Sequence, residues 1–225
     1  MITLAVKAFA GFLNLFVILC LCLFLPAWSL DFWQGWLFLV CFFGPVLIIT
    51  LYLLRRDPSL LQRRIKVGPI AEQRKNQKVV QTCASASFIF MFLVPGIGHR
   101  LHLSSVPTAL VIIADVAIIV GLTIVFLVFK ENTFTSATIE IAENQKVIST
   151  GPYEVVRHPM YSGALIFLSF TPIALNSWWG VLALPPLVVA IIFRLLDEER
   201  LLTKNLEGYS EYCESVQWRL VPRIW

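Results

Sequence analysis

Charge is scarce in this chain. Only 14% of its 225 residues are charged, against about a quarter in soluble domains. That shortage excludes a solvated globular surface over most of the length. Familiar nucleotide and metal signatures are missing too. There is no G-x-G-x-x-G after a strand, no P-loop and no H-E-x-x-H. The five cysteines, Cys20, Cys22, Cys41, Cys83 and Cys213, show neither zinc spacing nor a paired framework. Four of them lie in apolar runs, where cysteine behaves as a small hydrophobe. No internal repeat or low-complexity tract occurs, and nothing points to nucleic acid as a partner.

What is present is apolar length. Hydrophobic residues make up 58% of positions. A span needs roughly 20 apolar residues. Ala8–Trp28, Trp33–Leu54, Val79–Ile97 and Val106–Phe129 fit that measure. A cleaved signal peptide is the alternative for the first, but the run is long and Phe24-Leu25-Pro26-Ala27-Trp28 lacks a clear small-x-small site. Tyr161–Leu175 and Trp178–Leu196 form a closing pair around Asn176-Ser177, and the first arm is short enough to leave its crossing open. The fold expected is all-α, a polytopic transmembrane helical bundle of five to six membrane helices. Residues 1–130 read as a four-span region and 131–225 as the region bearing the chemistry.

Orientation follows from Lys and Arg in the loops. Arg55, Arg56, Arg63, Arg64, Lys66, Arg74, Lys75 and Lys78 crowd the second loop. Ser29–Asp31 has none, and Gly98–Ser105 has only Arg100. The basic loop is therefore expected in the cytoplasm. Counting crossings puts the N-terminus, the Lys130–Met160 segment and the tail from Asp197 on that side. His99 and His102 fall on the other, so the three histidines cannot share one metal. Within the basic loop, Leu60, Leu61 and Ile65 with Arg63, Arg64 and Lys66 allow either a short interfacial helix or a solvated loop that only sets topology. Gly68-Pro69 ends any helix there.

The residues able to do chemistry collect on the basic side. Arg157-His158-Pro159 opens an apolar span. Proline keeps the preceding residue out of helical geometry, and Pro159 suits a first helical turn. Free N–H groups at a helix start attract anions. The plain alternative is an interfacial helix start with Arg157 reaching to headgroups. Arg194 sits inside the apolar run Leu187–Leu196, where a charge is a functional candidate. Arg194 and Glu198 are i,i+4 and share a helix face, whereas Glu199 is offset. Asp197, Glu198 and Glu199 in a row repel unless a cation lies near, and a sulfonium would suit. Tyr209 and Tyr212 are i,i+3 and either line a pocket or anchor at the interface. Asp115 is the one other intramembrane acid, its role open.

Taken in order, Asn132-Thr133-Phe134, Gly151-Pro152-Tyr153, Arg157-His158-Pro159-Met160-Tyr161-x-Gly163, Glu198-Glu199-x-x-Leu202, Gly208-Tyr209-x-x-Tyr212 and Arg219-Leu220-x-Pro222 resemble the isoprenylcysteine carboxyl methyltransferase family. That family is part of a wider group that includes phospholipid methyltransferases. The resemblance covers roughly the last 95 residues. It implies an S-adenosylmethionine pocket at the cytosolic membrane face. It implies Gln145, Val147, Tyr153, His158, Tyr161, Glu198 and Glu199 as cofactor contacts, and Arg194, Glu199 and Arg157 as the residues of transfer. The spacing from the acids to Tyr209 is one residue shorter than usual, which leaves either Glu198 or Glu199 in the acidic position. The function expected is carboxyl O-methylation of an isoprenylcysteine-like or other hydrophobic acceptor entering from the bilayer. A phospholipid N-methyltransferase, an NADPH-dependent enzyme resembling the sterol reductases, and a non-enzymatic transporter or scaffold are the competing readings.

Overall fold

Backbone in hydrocarbon must pair its own N–H and C=O groups, and a helix does so within one segment. The computed structural model describes residues 2–65, 75–139 and 144–225. Lys66, Gly68, Pro69 and Arg74 of the basic loop lie outside them. The helices are α1 (Ile2–Ala27), α2 (Trp33–Arg56), α3 (Pro58–Ile65), α4 (Lys75–Leu101), α5 (Thr108–Glu131), α6 (Pro159–Ala174), α7 (Leu184–Asn205) and α8 (Tyr209–Ser215). Two 3-10 turns, Gly151–Glu154 and Trp179–Ala183, precede α6 and α7. No strand occurs among the described residues. Among the described residues five stretches are long and apolar enough to cross a membrane: Ile2–Ala27, Trp33–Arg56, Asn76–Leu101, Thr108–Glu131 and Trp179–Asn205. With α6, the shorter apolar helix, they form an integral membrane bundle.

The short arm does reach the far end of the bundle. Beyond α6, Val106 N donates to Asn176 Oδ1 at 2.6 Å. Trp178 N donates to Ser104 Oγ at 3.0 Å, and Trp179 Nε1 to Leu103 O at 3.3 Å. The turn after α6 is therefore tied to the turn between α4 and α5. The turn between α1 and α2 lies at this end too. Phe32 stacks on His99 with ring centroids 4.5 Å apart, and Arg100 lies over the Trp28 ring at 5.6 Å. Exposed Trp28, Trp33, Trp36, Trp178 and Trp179 make an aromatic girdle of the kind found at membrane interfaces. The opposite end carries α3, the 132–139 segment and the tail.

Aromatic packing fills the middle. Phe38 lies 5.7 Å from Phe42 and 5.5 Å from Phe92 between ring centroids, with Leu23, Met91 and Ile118 fully buried around them. The closest helix pair is α5 and α6. A Cβ added at Gly121 would lie 2.6 Å from Gly163 O, and one at Gly163 would lie 2.6 Å from Gly121 O. Those neighbours are backbone and cannot swing aside, so only glycine permits this approach. The contact stands two residues beyond Tyr161 and so fixes the start of α6.

Candidate functional site

α6 begins where the proline rule places it. Pro159 is its first residue, and His158, just before it, has φ −125° and ψ 61°. The tail returns alongside. Arg157 N donates to Trp218 O and His158 N to Arg219 O, both at 2.9 Å. Ser162 Oγ donates to Leu220 O at 2.6 Å. The segment before α6, the end of α7 and residues 216–225 are thereby brought to one place.

Two constellations stand there. In the first, three basic side chains surround Glu199. Arg219 Nε donates to Glu199 Oε2 at 2.8 Å. His158 Nε2 lies 3.3 Å from Oε1 and donates to it. Arg157 Nε is an ion-pair partner 3.1 Å from the same oxygen, without hydrogen-bond alignment. Glu199 and His158 are both buried. A buried carboxylate needs such compensation, because desolvating an unpaired charge costs several kcal/mol. The Arg219 guanidinium also packs over Trp225 at 5.3 Å.

In the second, the Tyr161 hydroxyl is the hinge between Arg194 and Glu198. It donates to Glu198 Oε2 at 2.6 Å and accepts from Arg194 Nε at 3.2 Å. Arg194 Nη2 donates to Ala137 O at 2.6 Å. Gln77 Nε2 donates to Asp197 Oδ2 at 2.9 Å. The three consecutive acids therefore point three ways around α7, as 100° per residue requires, and each has its own partner.

Glu198 lines a polar cleft of about 850 Å³, counted out to its open mouth. Of the residues singled out from sequence, Gln145, Val147, Tyr153, Arg157, His158, Tyr161, Arg194, Glu198, Tyr209 and Tyr212 all line it. Glu199 is not among its lining residues but sits behind it, holding Arg157 and His158. The wall opposite α7 is the irregular stretch Asn132–Ile139. Asn132 Nδ2 donates to Tyr153 OH at 2.9 Å, and Tyr212 OH donates to Tyr153 O at 2.8 Å. Burial pushes the Tyr153 phenol up from its ordinary range against the opposing Asn132 hydrogen bond, and burial pushes Tyr209 up as well. Both remain neutral at physiological pH. The Tyr209 hydroxyl is buried at the cleft without a protein partner among the described residues.

Behind this cleft a second, apolar groove of about 490 Å³ runs between α1, α4, α6 and α7. Ile18, Ala84, Phe88, Ala164, Ala190 and Ile191 are among its lining residues. Tyr161 and Arg194 belong to both cavities. Sequence reasoning assigned no role to Arg219 or to the 132–139 backbone. Arg219 and residues 132–134 fall in motifs of the resemblance, which was the available signal, and residues 135–139 carry none.

A helical membrane bundle with a polar cleft at the ends of its last helices is the class that this geometry defines. Residues 109–208, 100 of the chain's 225, match the family model described as phospholipid methyltransferase. The matched stretch runs from α5 to Gly208. The chain is also 30% identical over 95 residues to Delta(14)-sterol reductase TM7SF2 of Mus musculus, covering 39% of this chain and 22% of that protein. The chain thus spans about a fifth of the length of that relative.

Proposed function

We propose that the protein is an S-adenosylmethionine-dependent methyltransferase that modifies a carboxylate on a hydrophobic acceptor. The observation that carries this reading is that Tyr161 and Arg194 stand in the walls of both the polar cleft and the apolar groove. A water-soluble donor and a lipid-like acceptor would approach them from different phases and meet there.

The donor set fits the cofactor. A sulfonium needs a nearby negative charge, and Glu198 supplies one at the cleft. Its adenosine and amino-acid parts need polar contacts and flat apolar surface, which the unpartnered Tyr209 hydroxyl, Gln145, Val147 and Tyr153 offer. When bound, S-adenosylmethionine supplies a methyl group on a sulfonium. The chain's own task is positioning and exclusion of water. Arg194 presents a planar guanidinium suited to a carboxylate. Such an acceptor is already ionised at neutral pH, so no general base is required. An amine or thiol would need a proton removed, which favours an ester product. The basic end of the bundle is assigned to the cytoplasm on its loop charges.

Calorimetry on the purified protein tests the cofactor. Binding of S-adenosylmethionine is expected, and its absence overturns the proposal. Arg194→Ala is expected to abolish turnover while donor binding persists. A base-labile label from a methyl-labelled donor identifies an ester.

The likeness to a sterol reductase supports a second reading, reduction of a sterol-like substrate with NADPH. A thermal-shift comparison separates the two. Stabilisation by NADPH and not by S-adenosylmethionine would favour the reductase.

A further inference from the structure

The 132–139 wall of the cleft is neither helix nor strand. Its carbonyls have no ladder to bond into, and buried backbone oxygens need partners. Arginines supply them from two sides. From α7, Arg194 donates to Ala137 O at 2.6 Å. From α3, Arg64 Nη1 donates to Ser136 O at 2.7 Å, and Arg63 Nη2 donates to Thr133 O. Adjacent carbonyls, Ser136 and Ala137, are therefore held by opposite helices. Thr133 Oγ1 also donates to Asp57 Oδ2, whose other oxygen accepts from Leu60 N at 2.9 Å at the start of α3.

Arg64 is fixed in place. Its guanidinium lies 5.0 Å from the Phe129 ring centroid. Leu60 and Leu61, on the same short helix, are buried against Ala8, Ile49, Leu53 and Phe129. The Arg64 charge lies close enough to interact with Tyr161, Glu198 and Tyr153, and with the like charge of Arg194. Arg55 and Arg56, in the same basic run, are exposed.

We propose that Arg64 is a positioning residue for the donor cleft, holding the 132–139 wall at the distance at which Arg194, Tyr161 and Glu198 face it. The role as a donor cleft rests on the function proposed above. The basic loop then does more than set topology, and the N-terminal spans contribute to the site through α3. Lysine keeps the charge but lacks the planar fork that reaches one carbonyl while stacking on a ring.

The test uses the full chain in lipid nanodiscs, with Arg64→Lys and Arg64→Gln beside Arg56→Lys and Arg56→Gln. Hydrogen exchange over residues 132–139 is expected to quicken about tenfold in both Arg64 variants, the loss of one charge-assisted hydrogen bond. The Arg56 variants should match the parent. The dissociation constant for S-adenosylmethionine should rise about tenfold with the Arg64 changes and stay at the parent value with the Arg56 changes. Unchanged exchange in the Arg64 variants overturns the latch. A looser wall with unaltered donor affinity overturns the positioning role. A parent protein that binds no S-adenosylmethionine overturns the function proposed above, while exchange still decides whether Arg64 holds the wall.

Discussion

Glu198 and Glu199 are neighbours in sequence with opposite surroundings. Glu198 touches the Tyr161 hydroxyl at the cleft, while Glu199 is shared among Arg157, His158 and Arg219. Their variants should separate accordingly. Glu199→Gln leaves buried cations uncompensated and is expected to cost about 3–5 kcal/mol of stability, read as a lower unfolding temperature in detergent. Glu198→Gln removes one charge from the cleft and is expected to weaken S-adenosylmethionine binding about tenfold at an unchanged unfolding temperature. The i,i+4 relation of Arg194 to Glu198, and the offset of Glu199, were legible in the sequence. The Tyr161 hydroxyl that joins Arg194 to Glu198 was not, because helix periodicity says nothing about a side chain arriving from α6. Nor does a run of lysines and arginines reveal which one is packed, so Arg64 looked like its exposed neighbours.

The positions of the long spans follow directly from apolar length, and the structure adds the short helices α3 and α8 and what happens at helix contacts. The motif Tyr161-x-Gly163 acquires a physical reason from the approach of α6 to α5. Gly163→Ala forces a Cβ to within 2.6 Å of Gly121 O. It is expected to cost about 1–3 kcal/mol as overpacking and to lower activity further by shifting Tyr161. Gly11→Ala, where nothing lies within 4 Å, should be neutral or slightly stabilising. Thermal unfolding and turnover of the two variants check this. The short length of α6 left its crossing undecided in the sequence. The polar ties of Asn176, Trp178 and Trp179 to residues 103–106 decide it, and such ties between distant turns carry no periodic signal.

For the molecule as a whole, six helices return the chain to the side on which it starts. Single cysteines introduced into a cysteine-free background test that arrangement in sealed vesicles. Arg56→Cys and Lys204→Cys should react with an impermeant maleimide from one side, and His102→Cys from the other. Loop charge identified the two faces. It did not reveal the split of the site into a polar cleft and an apolar groove, which depends on how α4, α6 and α7 lean together.

The 16 residues of α6 span ~24 Å at 1.5 Å per residue, less than the ~30 Å hydrocarbon core of an ordinary bilayer. A hydrophobic mismatch of this size is relieved when lipids thin beside the short helix. The surrounding leaflet would dip toward Arg194, easing the approach of an amphiphile's head. Turnover in vesicles of short-chain phosphatidylcholine should then exceed that in long-chain vesicles, with donor affinity the same in both. Acyl-chain length in the host membrane would act as a rheostat on this protein.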